Sequence, residues 1–164
     1  MMIPSLFCLL LSTTVNASQV TIRDQSVQVV GDWENVDEST KAVIMVHQAI
    51  GDSSDWDFFS SHLKLAGFSA LSISLTPSDS SPEGWLSTTQ QIDAAIAWVT
   101  EQGFNYLALV GAGIGANLSM ISAAENLNVD NLVILSPGLQ YEGVHAENTI
   151  ATYGDRPLFI AVSR

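Results

Sequence analysis

The stretch Leu107-Ala-Leu-Val-Gly-Ala-Gly-Ile-Gly-Ala-Asn117 is the most informative part of the sequence. Its apolar first half is typical of a buried strand, and the glycines that follow predict a tight turn leading into a helix. This order of elements is the setting of a Gly-x-Ser-x-Gly nucleophile elbow, in which a sharp turn presents a serine above a sheet. Gly111 and Gly115 supply the flanking glycines. The serine position is Gly113, which has no side chain and cannot act as a nucleophile.

Apolar runs alternate with helical patterns on both sides of this stretch. Near-continuous apolar runs are typical of parallel strands that are covered on both faces. The alternation predicts a doubly wound, mostly parallel α/β sheet with right-handed crossovers and helices on both faces. The predicted strands are 27–30, 42–46, 70–75, 107–110, 132–135 and 158–162, and the predicted helices are 55–66, 84–102 and 116–126. Asp55 is the predicted N-cap of the first helix.

Length and composition indicate one folded domain with an acidic surface. The chain has 164 residues, of which 47% are hydrophobic and 13% charged, values that suit a globular core. Seventeen acidic and five basic residues give a net charge of −12. Such a charge disfavours nucleic acids and anionic membrane surfaces as partners, because both are negatively charged themselves.

The first 17 residues have the pattern of a signal peptide. An apolar run, Leu6–Leu11, precedes Val15-Asn16-Ala17, a small-residue cleavage pattern, and predicts export to the periplasm or the exterior. The domain would then comprise residues 18–164. The run is too short for a membrane-spanning helix, which needs about 20 apolar residues; the alternative is a buried first strand. Cys8, the one cysteine, lies in this segment, so the mature domain would have no thiol chemistry.

Three motifs, taken in order, resemble those of the α/β-hydrolase family. They are 46–51 (Val-His-Gln-Ala-Ile-Gly) with Asp55-Trp56, then 111–117, then 135–138 (Leu-Ser-Pro-Gly) with 153–157 (Tyr-Gly-Asp-Arg-Pro). The resemblance covers about Val20 to Arg164 and is strongest to small bacterial members similar to dienelactone hydrolases and esterases. It implies the fold of that family, truncated after about the seventh strand.

The resemblance also implies a catalytic site that this sequence does not complete. Family members use a serine, an acid, a histidine and two backbone N–H groups that bind the oxyanion. Gly113 replaces the serine, and Gln48 replaces the glycine expected in the oxyanion loop after His47. The family's acid follows the seventh strand and its histidine comes later, whereas this sequence stops at Arg164. Ile114 keeps its place as an oxyanion-type backbone donor, and we expect an inactive pseudoenzyme or a truncated form.

Two other functions are open at this point. An active carboxylic-ester hydrolase would need either further C-terminal residues or a rewired triad, for which Ser136 and His145 are the available stand-ins. Ser136 follows a strand with no strained turn predicted to present it, and His145 lies near Glu142 and Glu147. His47 is interpreted as a structural residue that hydrogen-bonds a loop.

The second alternative is a dinucleotide-binding protein, because Gly111, Gly113 and Ala116 also fit Gly-x-Gly-x-x-Ala. Several strands precede this fingerprint, and no acidic residue ends the next strand to bind a ribose. We therefore expect no cofactor.

Metal binding is not expected either. Asp52, Asp55 and Asp57 lack the spacing of a calcium loop, and charge complementarity with a helix N-terminus explains them better. The expected partners are a small-molecule or ester ligand and a second copy or another protein at the exposed edge of the last strand.

Overall fold

The computed structural model describes residues 17–162, so the predicted signal peptide and Cys8 lie outside the described residues apart from Ala17. The described residues form nine strands. These are β1 (Ser18–Asp24), β2 (Val27–Glu34), β3 (Lys41–Val46), β4 (Ser69–Ser74), β5 (Tyr106–Ala112), β6 (Asn131–Leu135), β7 (Gln140–Tyr141), β8 (Val144–His145) and β9 (Leu158–Ala161). The helices are α1 (Asp57–Leu65), α2 (Pro82–Leu86), α3 (Thr89–Glu101), α4 (Ile114–Glu125) and α5 (Ile150–Tyr153).

Seven strands form one sheet in the order β1-β2-β4-β3-β5-β6-β9. Strand β2 runs antiparallel to both β1 and β4, whereas the neighbours from β4 to β9 are parallel. The predicted mostly parallel α/β sheet is therefore confirmed. Strands β7 and β8 form a separate antiparallel hairpin. Within residues 17–162, no helix combines the length and apolarity needed to cross a membrane.

The core has a layer on each face of the sheet. On one face, α3 and α4 cover a large cluster to which Ile44, Leu109 and Ile114 belong. On the other face, α1 covers a smaller cluster that includes Val43, Met45 and Trp56. Successive residues of β3 point to opposite faces of the sheet and so belong alternately to the two clusters. This explains why the five residues after Lys41 are all buried.

Some predicted element boundaries are wrong. The helix predicted over 84–102 is two helices, because the hydroxyl groups of Ser87 and Thr88 donate back to the carbonyl oxygens of Gly84 and Trp85 at 2.7 and 2.6 Å. Such local bonds compete with continued helix. The strand β1 was not predicted, since a single residue of it is buried and its pattern is weak. The second of the two helices, α3, buries Ile92, Ile96 and Val99.

The last strand of the sheet presents apolar side chains. Among the described residues β9 pairs with β6 alone. Phe159 and Ile160 are 60% and 49% exposed and point to opposite faces. The exposed edge expected from the sequence is thus present in the part of the chain that the structure describes.

Candidate functional site

The turn between β5 and α4 has the close packing of an elbow. Gly113 has φ +56° and ψ −123°, and its N–H donates to the carbonyl oxygen of Leu135 at 3.0 Å. A side chain at Gly115 would collide with the backbone carbonyl of His47, and one at Gly111 would collide with the backbone of Gly115. The two flanking glycines are therefore required for β3, β5 and α4 to approach each other at this point.

The apex of the elbow lies beneath two side chains. A methyl group on Gly113 would lie 3.2 Å from Cβ of Gln48 and 3.5 and 3.6 Å from Cζ and Oη of Tyr141. Gly113 itself is buried. The space in which a nucleophile would stand is thus bounded by Gln48 on the oxyanion loop and by the phenol of Tyr141 on β7.

Asn117 holds the β7–β8 hairpin over the elbow. It lies one turn into α4, is 1% exposed, and donates from Nδ2 to the carbonyl oxygens of Gly138 at 3.0 Å and Val144 at 2.9 Å. Its Oδ1 accepts from the N–H of Gly138 at 3.3 Å. One side chain therefore bonds both ends of the hairpin and fixes where Tyr141 lies.

His47 has a structural role, in line with its interpretation from the sequence. The residue is 2% exposed, and Nε2 accepts from the N–H of Leu75 at 2.8 Å. Nδ1 must then carry the proton, and it donates to the carbonyl oxygen of Gln48 at 2.6 Å. Both ring nitrogens are used to join the loops after β3 and β4, so neither is free to accept a proton from a substrate.

A cavity of about 330 Å³ lies next to the elbow and is lined by His47, Gln48, Asp55, Trp56 and Ala112. Trp56 is 9% exposed, and its indole Nε1 has no hydrogen-bond partner among the described residues. Asp55 is exposed, and no hydrogen bond or ion pair to its carboxylate occurs among residues 17–162. The cavity therefore has on its wall one carboxylate that no described residue bonds, whereas the indole Nε1 of Trp56 is enclosed by protein atoms.

The stand-in residues Ser136 and His145 are not brought together. No hydrogen bond joins them in the described part of the chain, and Nδ1 of His145 instead lies 3.2 Å from Oε1 of Glu147. The N–H of Glu147 itself and then His145 hold the pKa of the Glu147 carboxyl below its usual range.

The expectation of an unstrained turn at Ser136 is wrong, because Ser136 has φ +50°. Its N–H donates to the carbonyl oxygen of Ala161 at 2.6 Å, which continues the pairing of β6 with β9, and the chain bends at this residue.

The acidic loop before α1 uses its first carboxylate as a cap. Oδ1 of Asp52 accepts from the N–H of Ser54 at 2.9 Å and from its hydroxyl at 2.6 Å. These bonds lower the pKa of Asp52, the hydroxyl more than the backbone. The prediction of Asp55 as the N-cap is therefore wrong by one turn: a 3₁₀ turn, Ser53–Trp56, precedes α1 and is capped by Asp52.

The dinucleotide fingerprint has a different structural explanation. In nucleotide-binding folds, glycines in this loop let the backbone approach a pyrophosphate. Here the space beside Gly115 is filled by the carbonyl groups of Val46 and His47, and Gly113 faces Gln48 and Tyr141. The glycines thus serve contacts within the chain.

This chain is similar in structure to several solved proteins. No protein-family model and no curated protein matches this chain. An esterase of Pyrococcus furiosus superposes with TM-score 0.73 and 15% identity, covering 88% of this chain and 68% of the esterase. A candidate dienelactone hydrolase of Klebsiella pneumoniae superposes with TM-score 0.64 and 14% identity, covering 90% of this chain and 85% of the hydrolase. Epoxide hydrolase A of Mycobacterium thermoresistibile superposes with TM-score 0.61 and 15% identity, covering 73% of this chain and 39% of the epoxide hydrolase.

These likenesses show the fold: the chain has the α/β-hydrolase fold. It spans less than half the length of several solved structures that it matches, 47% of one and 39% of another. Identities this low do not transfer an activity or a substrate.

Sequence reasoning missed Tyr141 and Asn117. Tyr141 lies in a two-residue strand that gives no periodic signal. The sequence does indicate a role for Asn117, because its amide lies in a helix of otherwise apolar and small residues and needs buried hydrogen-bond partners.

Proposed function

We propose that this chain is a ligand-binding protein on the α/β-hydrolase scaffold, which holds a small carbonyl compound beside the elbow without cleaving it. The observation that carries the proposal is Gly113, a buried glycine beneath Gln48 and Tyr141 at the position of the nucleophile. A longer natural chain would still have no nucleophile at residue 113. The cavity of about 330 Å³ next to it supports retained binding.

Loss of chemistry and retention of binding are separable in this fold. Acyl transfer needs a hydroxyl to attack the carbonyl carbon and a base to take its proton. Gly113 supplies no hydroxyl, and both ring nitrogens of His47 are already hydrogen-bonded. Removing catalytic groups leaves whatever the binding site contributes. An ester would therefore bind in the cavity and leave it unchanged.

The test uses a neutral ester, methyl 4-methylpentanoate, and follows binding and cleavage in one NMR sample. We expect the indole N–H signal of Trp56 and the backbone amide signals of Gln48 and Ala112 to shift with ester concentration. Methanol should appear no faster than in buffer. Methanol release proportional to protein concentration would contradict the proposal, and so would the absence of any shift at these three residues.

A matched pair of variants localises the binding. Ala112→Leu places extra bulk on the wall of the cavity, whereas Ala97→Leu adds the same bulk at an exposed position on α3. We expect the first to weaken ester binding and the second to leave it unchanged. Equal binding by both variants would place the ligand elsewhere.

We also propose that the protein is exported. The support is the apolar run and small-residue cleavage pattern in the first 17 residues. The intact mass of the protein isolated from its source tests this: an N-terminus at Ser18 is expected, and retention of Met1 would contradict export by cleavage.

A further inference from the structure

The outer edge of β9 has backbone groups that no described residue bonds. The carbonyl oxygens of Pro157 and Ala161 accept hydrogen bonds from residues at the two ends of β6. Because the N–H and C=O groups of successive residues in a strand point to opposite sides, those of Leu158 and Ile160 point away from β6. Within residues 17–162, β9 pairs with β6 alone, so its outer edge is a template for a further strand.

The two edges of the sheet differ in composition. Proteins usually protect an edge strand from further pairing with charged side chains, proline or bulges. Strand β1 follows this rule, since it carries Arg23 and Asp24 and its exposed side chains are all polar. Strand β9 does not, because no charged residue occurs between Arg156 and Arg164 and the exposed side chains are apolar. By this contrast, β9 has the composition of a strand that is paired on both sides.

The apolar surface at β9 has the size that a stable interface needs. Five apolar side chains on β9, directly after it or in the groove beside it are 47–81% exposed; they are Leu139, Ile150, Phe159, Ile160 and Val162. Together they expose about 500 Å², which is within the range of the largest apolar patches on monomers. A stable dimer buries about 800 Å² on each partner, a little over half of it apolar. The patch at β9 therefore supplies the apolar share of such an interface.

An antiparallel copy of β9 matches this edge residue for residue. With a two-fold axis through Ile160 and perpendicular to the sheet, Ile160 faces its own copy, and the two exchange both of their N–H···O bonds. The same register sets Leu158 opposite Val162 of the second copy. It also sets Phe159 opposite Ala161 of the second copy, so that a large side chain meets a small one on that face of the sheet. The edge is thus complementary to itself.

We propose that the protein forms a two-fold symmetric dimer in which the β9 strands of two copies pair antiparallel and join the two sheets into one. The copies approach along an uncharged strand, so the net charge of −12 on each opposes association only at longer range, where salt screens it. The interface uses neither the elbow nor the cavity beside it, and it forms whether or not a ligand binds there.

Sedimentation at several protein concentrations, with two variants of equal charge, tests the dimer. Ile160→Lys sets like charges opposite each other at the two-fold axis, on a residue that is already half exposed, so the monomer should stay folded. We expect it to weaken dimerisation about tenfold or more. Thr21→Lys adds the same charge at an exposed position of β1 and should leave dimerisation unchanged. A monomer at every concentration, or equal dimerisation of the two variants, would overturn the proposal.

Amide hydrogen exchange shows whether the edge itself is paired. The N–H groups of Leu158 and Ile160 should become protected as protein concentration rises, because the second copy then bonds them. Those of Phe159 and Ala161 face β6 and should be protected at every concentration. Protection of Ile160 in a monomer would show that another part of the same chain covers the edge, and would overturn the proposal.

Disulfide crosslinking tests the register. In the proposed pair, the Cα atoms of residue 160 and its copy are about 5.5 Å apart, a distance that a disulfide spans, whereas those of residue 162 and its copy are about 14 Å apart. In a Cys8→Ser background, which removes the one native cysteine, Ile160→Cys should crosslink under mild oxidation and Val162→Cys should not. Crosslinking of Val162→Cys alone, or of both variants equally, would overturn the two-fold pairing at Ile160.

Discussion

Gly113 has a backbone conformation that an L-residue adopts only under strain. Its φ of +56° with ψ of −123° is outside the ordinary regions for residues with a Cβ. A serine in such an elbow holds strain of about 1–3 kcal/mol, which active sites tolerate because the chemistry requires it. Glycine relieves that strain. Under the proposed function, the absence of a nucleophile at this residue and a gain in stability would have the same cause.

We expect both Gly113→Ala and Gly113→Ser to lower the free energy of unfolding by about 1–3 kcal/mol. The added Cβ would be strained and would lie 3.2 Å from Cβ of Gln48. Gly113→Ser should still not hydrolyse esters, because both ring nitrogens of His47, the histidine that lines the cavity beside the elbow, are already hydrogen-bonded. Urea unfolding and ester turnover check the two parts. Turnover by Gly113→Ser, absent in Gly113→Ala, would show that a base is present.

The stabilisation that the Asp52 cap provides depends on pH. The Ser54 hydroxyl and then the Ser54 N–H hold the pKa of the Asp52 carboxyl below its usual range. Because the folded pKa is lower than the unfolded one, the stabilisation is present above about pH 4 and is lost as pH falls through the folded pKa. Ser54→Ala should raise the pKa of Asp52 in an NMR titration, whereas Ser61→Ala on α1 should not. An unchanged pKa in Ser54→Ala would contradict the capping role.

At the scale of elements, the β7–β8 hairpin depends on a single amide. Asn117→Ala removes three hydrogen bonds and leaves the carbonyl of Val144 without its donor in a buried setting. We expect a loss of about 2–4 kcal/mol in stability and faster amide exchange in residues 138–145, since the hairpin would detach before the sheet unfolds. Asn128→Ala, at an exposed position, is the control. Unchanged exchange in the hairpin would show that other contacts hold it.

Arg156 connects α5 to the end of α4. Its guanidinium donates to the carbonyl oxygens of Ala123 at 2.7 Å, Asn126 at 2.9 Å and Val129 at 2.8 Å, and Nε donates to Tyr153 at 3.0 Å. These bonds satisfy carbonyls that a helix end leaves free.

We expect Arg156→Met to lower the free energy of unfolding by about 2–4 kcal/mol, because it removes all four bonds and keeps most of the apolar stem. Arg23→Met, at an exposed position of β1, should change it by less than about 0.5 kcal/mol. Chemical denaturation of both variants is the measurement. Equal stability of the two would contradict the structural role of Arg156.

At the scale of the whole molecule, the sequence predicts the sheet far better than the site. The buried parallel strands are nearly continuous apolar runs, and the glycine turn at 111–115 follows from steric demands that the local sequence expresses. Tyr141 and the cavity could not be predicted in the same way. They depend on long-range packing, with Asn117 bonding residues more than 20 positions away, and two-residue strands carry no periodicity.

Net charge also acts at this scale. The surface carries a formal charge of −12, and the described cavity beside the elbow has a carboxylate on its wall. The molecule as a whole therefore repels anions and attracts cations.

We propose that this α/β-hydrolase-fold chain has no serine that can be acylated. The proposal is tested by intact-mass measurement after incubation of the purified protein with a serine-directed fluorophosphonate. We expect no adduct, because Gly113 replaces the nucleophile and Ser136 is not hydrogen-bonded to His145. A stoichiometric adduct on any serine would contradict the claim, and an adduct on Ser136 would identify a rewired catalytic site.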